Sequence, residues 1–459
     1  MIAPARRAAF AALVDITRGR FDLDAALEQA REGLEDARDM ALLRELVTGT
    51  LRWQARLDWS FTPLLRVPVH KLDLEVLVAL RLAAYQLEFL DRIPASAVVS
   101  DAVALVRAAK KSSAAGLANA VLRRLARGER APLPALGADA APTEVVDALA
   151  VTSSHPAWLV ERWLAREPRD VVERWLAFNN EVPPTTLRVN PLAGATREDL
   201  AQRLAVDGIH TTAGIAAPLA LIGRGPALVS HLAVADGVGT IQDEGSQLAA
   251  LVAPVQPGQR VLDLCAAPGG KTLAYVWAAG VNGHVVACDI RPRRLQILQA
   301  TLTRGRATAE VVAVDADAAL PFAAVFDVVA VDAPCSGLGT LRRDPDIKWR
   351  RTPDDLARFQ IRQIDLLRRA AAVVVPGGTI AYTTCSTEPE ENIEVVHAFL
   401  ATHTEFQLAP VDPAEPVLAP FVDTDGCVRL HPARHGLEGY FGARLVRRRS
   451  PAQPAAVVQ

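Results

Sequence analysis

Cysteine is scarce in this chain. Five occur in 459 residues (Cys265, Cys288, Cys335, Cys385 and Cys427), and no pair has the CxxC spacing of a zinc site. An odd number of thiols in a reactive setting predicts a reducing, cytoplasmic location and no metal. A surplus of charge is missing too: 50 basic residues face 52 acidic ones, for a net charge of -2. No global field advertises a nucleic-acid partner, so any such surface must be a local patch. Asp15 interrupts the first apolar run too early for a signal peptide or a membrane span. Two nucleotide fingerprints are absent. There is no G-x-G-x-x-G, and the phosphate-cradling G-x-x-x-x-G-K-[ST] fails because its first glycine would fall on Cys265.

What is present divides the chain in three. Glycine and proline are sparse over residues 1 to about 130, and apolar residues recur at helical spacing, as at Leu42, Leu43, Leu46 and Val47. An all-α domain is expected over 1–140, ending in the proline-rich stretch 130–144. A small α+β subdomain is expected over 145–235, with a helix from near Pro156 and a strand at 185–190. His155 reads as a structural residue at a helix end. Over 236–450 apolar runs at 260–264, 284–288, 310–314, 326–331 and 378–382 alternate with helical segments. Such runs suit strands buried on both faces of a parallel sheet, giving a Rossmann-like α/β domain.

The chemistry-bearing residues collect at one edge of that sheet. Ligands of open α/β sheets bind outside the carboxyl ends of the strands. Cys265, Asp289, Asp315, Asp332 and Cys385 each fall at or just past a predicted strand end, and Cys335 follows in the loop after Asp332. Gly269 and Gly270 let the backbone pass close to a ligand, and Asp289 suits ribose hydroxyls. Asp315 or its neighbour Asp317 could accept from an adenine amino group. Pro268 removes an amide that a phosphate cradle would use. An adenosyl ligand without phosphates, S-adenosylmethionine, is therefore expected. A lone cysteine after a strand is commonly a small buried hydrophobe. Pro334, however, stiffens the turn before Cys335. Thr387 to Glu390 reads as a capping box, which would place Cys385 just before a helix N-terminus favouring its thiolate. One reaction uses two thiols beside a methyl-donor site, the methylation of carbon 5 of cytosine. Carbon 5 becomes nucleophilic only after a thiolate adds to carbon 6. The stretch 341–351 sets basic residues around Trp349 and reads as a phosphate-contacting loop with a stacking ring. Arg123, Arg124, Arg127 and Arg130 form a second basic run.

Taken together, the motifs resemble the Nop/Sun RNA 5-methylcytosine methyltransferases. The likeness rests on Cys265-Ala-Ala-Pro-Gly-Gly-Lys271, Asp332-Ala-Pro-Cys335-Ser-Gly, Thr384-Cys385-Ser and Gly436-Leu-Glu-Gly-Tyr-Phe441. The N-terminal part resembles NusB-type RNA-binding domains, through Glu45-Leu-Val-x-Gly49-x-Leu-Arg52 and Gly116-Leu-Ala-Asn119-Ala-Val-Leu-Arg123. The resemblance implies RNA as partner, with one cytosine of 16S rRNA as the substrate. It implies Cys385 as nucleophile, Cys335 as the group that assists release and Asp332 as stabiliser of the altered ring. The donor-binding positions it implies are Cys265, Ala266, Ala267, Pro268, Gly269, Gly270, Lys271, Asp289, Asp315 and Asp332. Val314 departs from the family, which more often has glycine there. A soluble monomer is expected. Another RNA as substrate, or a non-catalytic RNA-binding protein of antitermination type, is the alternative.

Overall fold

The structure, a computed structural model, describes residues 2–449 apart from 138 and 413. It divides into two compact units. One comprises Met1–Val182 with Leu341–Arg351, and the other Pro183–Thr340 with Thr352–Gln459.

The first unit is helical. The helices Pro4–Thr17, Leu23–Arg31, Ala37–Arg52, Gln54–Phe61, Leu74–Phe89, Ala95–Ala108 and Ala115–Ala126 bury one apolar cluster. Gly49 allows two of them to approach closely, since a Cβ there would lie 2.0 Å from the Tyr85 ring. The Tyr85 hydroxyl donates to Glu45, one turn earlier on the Gly49 helix. Helices Pro142–Thr152, Ala157–Leu164 and Arg169–Asn180 fold with this unit. His155 lies just before the second of them. It is buried, with Nδ1 2.7 Å from the Ser153 carbonyl and Nε2 3.2 Å from Asn179.

Segment 341–351 corrects a sequence expectation. It is not an open RNA-contacting loop. Trp349 packs on the helical core and donates to the Leu51 carbonyl at 2.7 Å. Lys348 is fully buried, donating to the carbonyls of Arg52 (3.3 Å) and Ser154 (3.2 Å) and to Asn180 Oδ1 (2.8 Å). Arg342 is buried as well, its guanidinium 3.9 Å from the Phe178 ring centre. In the run expected to contact phosphates, Lys348 and Arg342 are instead satisfied inside the unit.

The second unit carries two sheets. Strands β1 (Thr185–Val189), β2 (Thr212–Ala213), β3 (Ala220–Gly223) and β4 (Gly239–Ile241) form a small antiparallel sheet in the order β2-β3-β1-β4. The larger sheet comprises β5 (Arg260–Asp263), β6 (His284–Asp289), β7 (Glu310–Ala313), β8 (Phe326–Asp332), β9 (Val374–Thr384), β10 (Phe406–Ala409), β11 (Val428–Leu430) and β12 (Tyr440–Arg447). Its order is β10-β12-β9-β8-β5-β6-β7, with β11 on β12. Strands β5 to β9 pair in parallel, as their apolar runs imply, and β10, β11 and β12 pair antiparallel, so the sheet is mixed. Chain order runs outward from β5 to β7 and then reverses through β8. The crevice of a doubly wound sheet opens at that reversal.

Candidate active site

Three neighbouring strands position the site. Because β5, β8 and β9 are adjacent and parallel, their carboxyl ends share one edge. Asp332 ends β8, opposite Thr383 of β9 in the strand register. Its carboxylate accepts from Thr383 Oγ1 at 3.1 Å and from the Lys271 ammonium at 2.7 Å. Lys271 stands in the first turn of helix Gly270–Ala279, which follows β5. Burial works to strip its proton, but the charge and hydrogen bond of Asp332, with Cys385 and Asp243, together outweigh it and Lys271 titrates above the ordinary lysine value.

The turn after β5 is drawn tight. Gly269 adopts φ +106°, and a Cβ there would meet Leu298 Cδ1 at 2.9 Å. Two amides of the turn are used internally, Ala266 N–H to the Cys288 carbonyl and Gly269 N–H to the Ala266 carbonyl, both at 2.8 Å. Around it stand the carboxyl groups of Asp263, Asp289 and Asp332. Asp263 is buried beneath the turn and accepts from Thr272 Oγ1 at 2.7 Å. Burial raises its pKa to about 7. Asp289, buried at the end of β6, meets only the Arg291 amide at 3.3 Å and Arg294 at 3.5 Å among the described contacts. It retains acceptor capacity for a pair of hydroxyls. Arg294 also donates to the Ala267 carbonyl at 2.7 Å, tying the turn to Asp289. This acidic turn, with the Ala266 and Gly269 amides spent and Pro268 carrying none, is a poor phosphate cradle and suits a phosphate-free, cationic adenosyl donor.

Past β7, Asp317 is ion-paired with Arg362 at 2.7 Å, while Asp315 accepts the Asp317 amide at 2.9 Å and is otherwise exposed. Of the two rivals, Asp315 keeps the more open carboxylate.

The two thiols meet. Cys335 lies three residues beyond β8 and Cys385 one beyond β9, and their Sγ atoms are 3.2 Å apart, both half-buried. The hydrogen bond to Cys385 and then burial push the Cys335 thiol well up. Cys335 is therefore the partner that keeps its proton. Burial pushes the Cys265 thiol well up and raises those of Cys288 and Cys427 to about 12. The expected capping box after Cys385 does not form. Thr387 Oγ1 donates to Glu388, residues Pro389–Glu391 make a 3-10 turn, and the next helix starts only at Ile393. No helix therefore begins directly after Cys385, and its near neighbour is the Cys335 sulfur.

The profile of the 16S rRNA methyltransferase RsmB/F family matches residues 249–446, that of the NusB family residues 3–127, and that of an RsmF/B-like ferredoxin-like domain residues 155–229. The chain is 34% identical to the probable ribosomal RNA small subunit methyltransferase B of Bacillus subtilis, over 87% of this chain and 89% of that protein. It is 37% identical to the ribosomal RNA small subunit methyltransferase B of Pseudomonas putida, over 86% of this chain and 88% of that one. The chain belongs to the RsmB/F family. Among solved structures, that of PH0851 superposes with a TM-score of 0.80 at 27% identity, over 97% of this chain and 99% of that one. A methyltransferase homologue from Pyrococcus horikoshii superposes with a TM-score of 0.56 at 26% identity, over 66% and 98%.

Membership in the family leaves two neighbours of the site that sequence reasoning missed. Arg294 reads as one of several arginines on a surface helix. Glu391 reads as one acid of a polar loop, yet it is fully buried between the two cysteine loops. The signal that could have found Glu391 was the serine directly after each cysteine, Ser336 and Ser386.

Proposed function

We propose that this chain methylates carbon 5 of a cytosine in 16S rRNA, with Cys385 as the attacking thiolate and Cys335 as the proton-handling partner. The observation that carries the reading is the pair of Sγ atoms 3.2 Å apart beside the Lys271–Asp332 pair. S-adenosylmethionine, when bound, supplies an electrophilic methyl group. Cys265 to Lys271, Asp289 and Asp315 are the residues that would hold it, with Asp289 on the ribose and Asp315 on the adenine.

The chain's own residues do the rest. Cys385 acts as the thiolate, with the Cys335 sulfur 3.2 Å away as its hydrogen-bond partner. That thiolate forms a bond to carbon 6, and Asp332, oriented by Lys271 and Thr383, faces the ring nitrogen whose charge changes. Once Cys385 is bonded to carbon it is no longer an anion. Cys335 then loses the contact that held its proton, gives that proton to water, and can take the one on carbon 5. The carbon 5–carbon 6 double bond re-forms as the Cys385–carbon bond breaks. The target base must leave its stack to reach the thiols.

We assign RNA affinity to the helical unit. A groove of about 620 Å³ between Ala95–Ala108 and Ala115–Ala126 is lined by Arg107, Arg123, Arg127, Ser96, Ser100 and Asn119, side chains suited to phosphates. Arg124 and Arg127 both reach Glu129, so the predicted run is partly neutralised. Among the described residues no helix is long and apolar enough to cross a membrane. We place the enzyme in the cytoplasm, acting as a single chain.

The test is covalent trapping. Cys335→Ala should accumulate a methylated protein–RNA adduct that survives denaturing electrophoresis, because a positioned base is worth ~10²–10⁴-fold in the step it loses. Cys385→Ala should form none. The opposite pattern would reverse the roles, and unchanged activity in both variants would make the thiols structural.

A further inference from the structure

The two thiol-bearing loops share one buried anchor. Glu391 Oε1 accepts the Ser336 amide at 2.7 Å, and its Oε2 accepts the Ser336 hydroxyl at 2.5 Å and the Ser386 hydroxyl at 2.5 Å. Ser336 follows Cys335 and Ser386 follows Cys385, so each loop is gripped one residue past its sulfur. Gln363 adds a third tie. Its Nε2 donates to the Pro334 carbonyl at 3.0 Å, just before Cys335, and to Glu391 Oε1 at 3.3 Å. Glu391 is itself pinned, since the Tyr382 hydroxyl donates to its carbonyl at 2.6 Å. Every side chain in this set except the thiols is buried.

We propose that Glu391 is a positioning residue for the reaction: its carboxylate holds the Cys335 and Cys385 loops together and so sets the spacing of the two sulfurs. The geometry requires two acceptor oxygens. One oxygen takes the Ser336 amide, and the other takes both serine hydroxyls. Glutamine at this site would turn one oxygen into an amide nitrogen that meets donors with a donor. Aspartate would keep the charge but fall a methylene short of both loops. Glu391 touches no reacting atom and acts only through the placement of the thiols. A misplacement of ~1 Å near reacting atoms costs ~10²-fold in rate.

The inference rests on the reading of Cys335 and Cys385 as the reacting pair, and its test separates the two claims. Thiol spacing can be read without methyl transfer. Diamide takes two electrons and two protons from the pair, forming one sulfur–sulfur bond as its own N=N bond is reduced to a hydrazine. Full-length protein with Cys265, Cys288 and Cys427 replaced by serine or alanine would report this pair alone, as a loss of two hydrogens by mass. Glu391→Gln should slow disulfide formation at least ~10-fold and lower kcat for rRNA methylation by ~10²-fold. KM for donor and RNA should stay within about twofold, a split that general loss of structure would not give. Should Glu391→Gln fail to fold, Ser336→Ala/Ser386→Ala keeps the carboxylate and removes both hydroxyl ties, and the same two rates should fall. Unchanged oxidation and unchanged kcat in whichever variant folds would overturn the proposal. Slowed oxidation with methylation intact would preserve the anchoring geometry but remove its role in catalysis, refuting the positioning claim. Slowed oxidation in a protein that methylates nothing even with Glu391 in place would instead count against the proposed function.

Discussion

Asp263 should make the second unit less stable as pH rises from about 4 to about 7. The carboxyl is buried under the donor turn, accepts one hydroxyl from Thr272, and titrates at about 7 rather than 3.8. Burial is the largest cause, with Asp332 and Asp289 adding to it and Lys271 opposing. The sign follows from which state holds the proton more tightly. Below pH 4 both folded and unfolded chains carry it, and ionisation costs the fold nothing. Between about 4 and 7 the unfolded chain ionises freely while the folded one resists, so stability is lost across that window. The gap between the two pKa values is about 3, and each step of one is worth 1.36 kcal/mol, for about 4 kcal/mol at most. Asp263→Asn keeps an acceptor for Thr272 and removes the titration. Its Tm relative to the parent should therefore rise with pH. About 1 kcal/mol of this is already lost by pH 4.5, so at roughly 2 °C per kcal/mol for a unit of this size the difference should grow by about 6 °C between pH 4.5 and pH 8. Calorimetry of the full chain at both values reads this directly. A difference in Tm that is flat with pH would show that Asp263 ionises normally and that the pocket is better hydrated than its burial implies.

Two further outcomes are expected. Asp289→Ala should weaken S-adenosylmethionine binding at least ~10-fold by calorimetry, as expected for losing a charged hydrogen-bond acceptor, without creating affinity for ATP; unchanged donor affinity would place the adenosyl group elsewhere. Lys348→Ala leaves three buried oxygens without their donor at ~1–3 kcal/mol each in the worst case. It should lower the unfolding midpoint of the helical unit by several degrees while donor affinity stays constant, and an unchanged midpoint would mean that the segment is held by Trp349 alone.

The parts of the fold that could be read from sequence are those where burial and period agree. Strands β5, β6, β8 and β9 carry apolar runs that are buried, while the edge strand β7 keeps such a run with its ends exposed. β12 escaped, since Tyr440–Arg447 mixes glycine and two arginines into a strand whose Arg444 is buried through hydrogen bonds to the Val252 and Leu251 carbonyls and an ion pair with Glu415. The strands β2, β3 and β4 are two to four residues long and leave too little pattern to detect. The site followed strand ends, so Asp332, Cys335 and Cys385 were legible by position alone. Glu391 and Lys348 were not, and for one reason. A charged residue satisfied by partners distant in the chain has no local signature, and Pro389-Glu390-Glu391 and Asp346-Ile347-Lys348 both look like solvated polar turns.

The membership of segment 341–351 in the helical unit changes what kind of object this protein is. The chain enters that unit at its start, leaves at 182, returns at 341 and leaves again at 351. A truncation beginning after residue 182 would therefore leave segment 341–351 without the unit it packs in. It would strip Trp349 and Lys348 of everything they rest on and expose a cationic and an apolar side chain thirteen and fourteen residues downstream of Cys335. Two modules joined end to end can be exchanged by recombination at their junction. Here a cut at any one junction leaves a piece of one module stranded in the other, so separating the helical part from the thiol-bearing part requires new partners for segment 341–351.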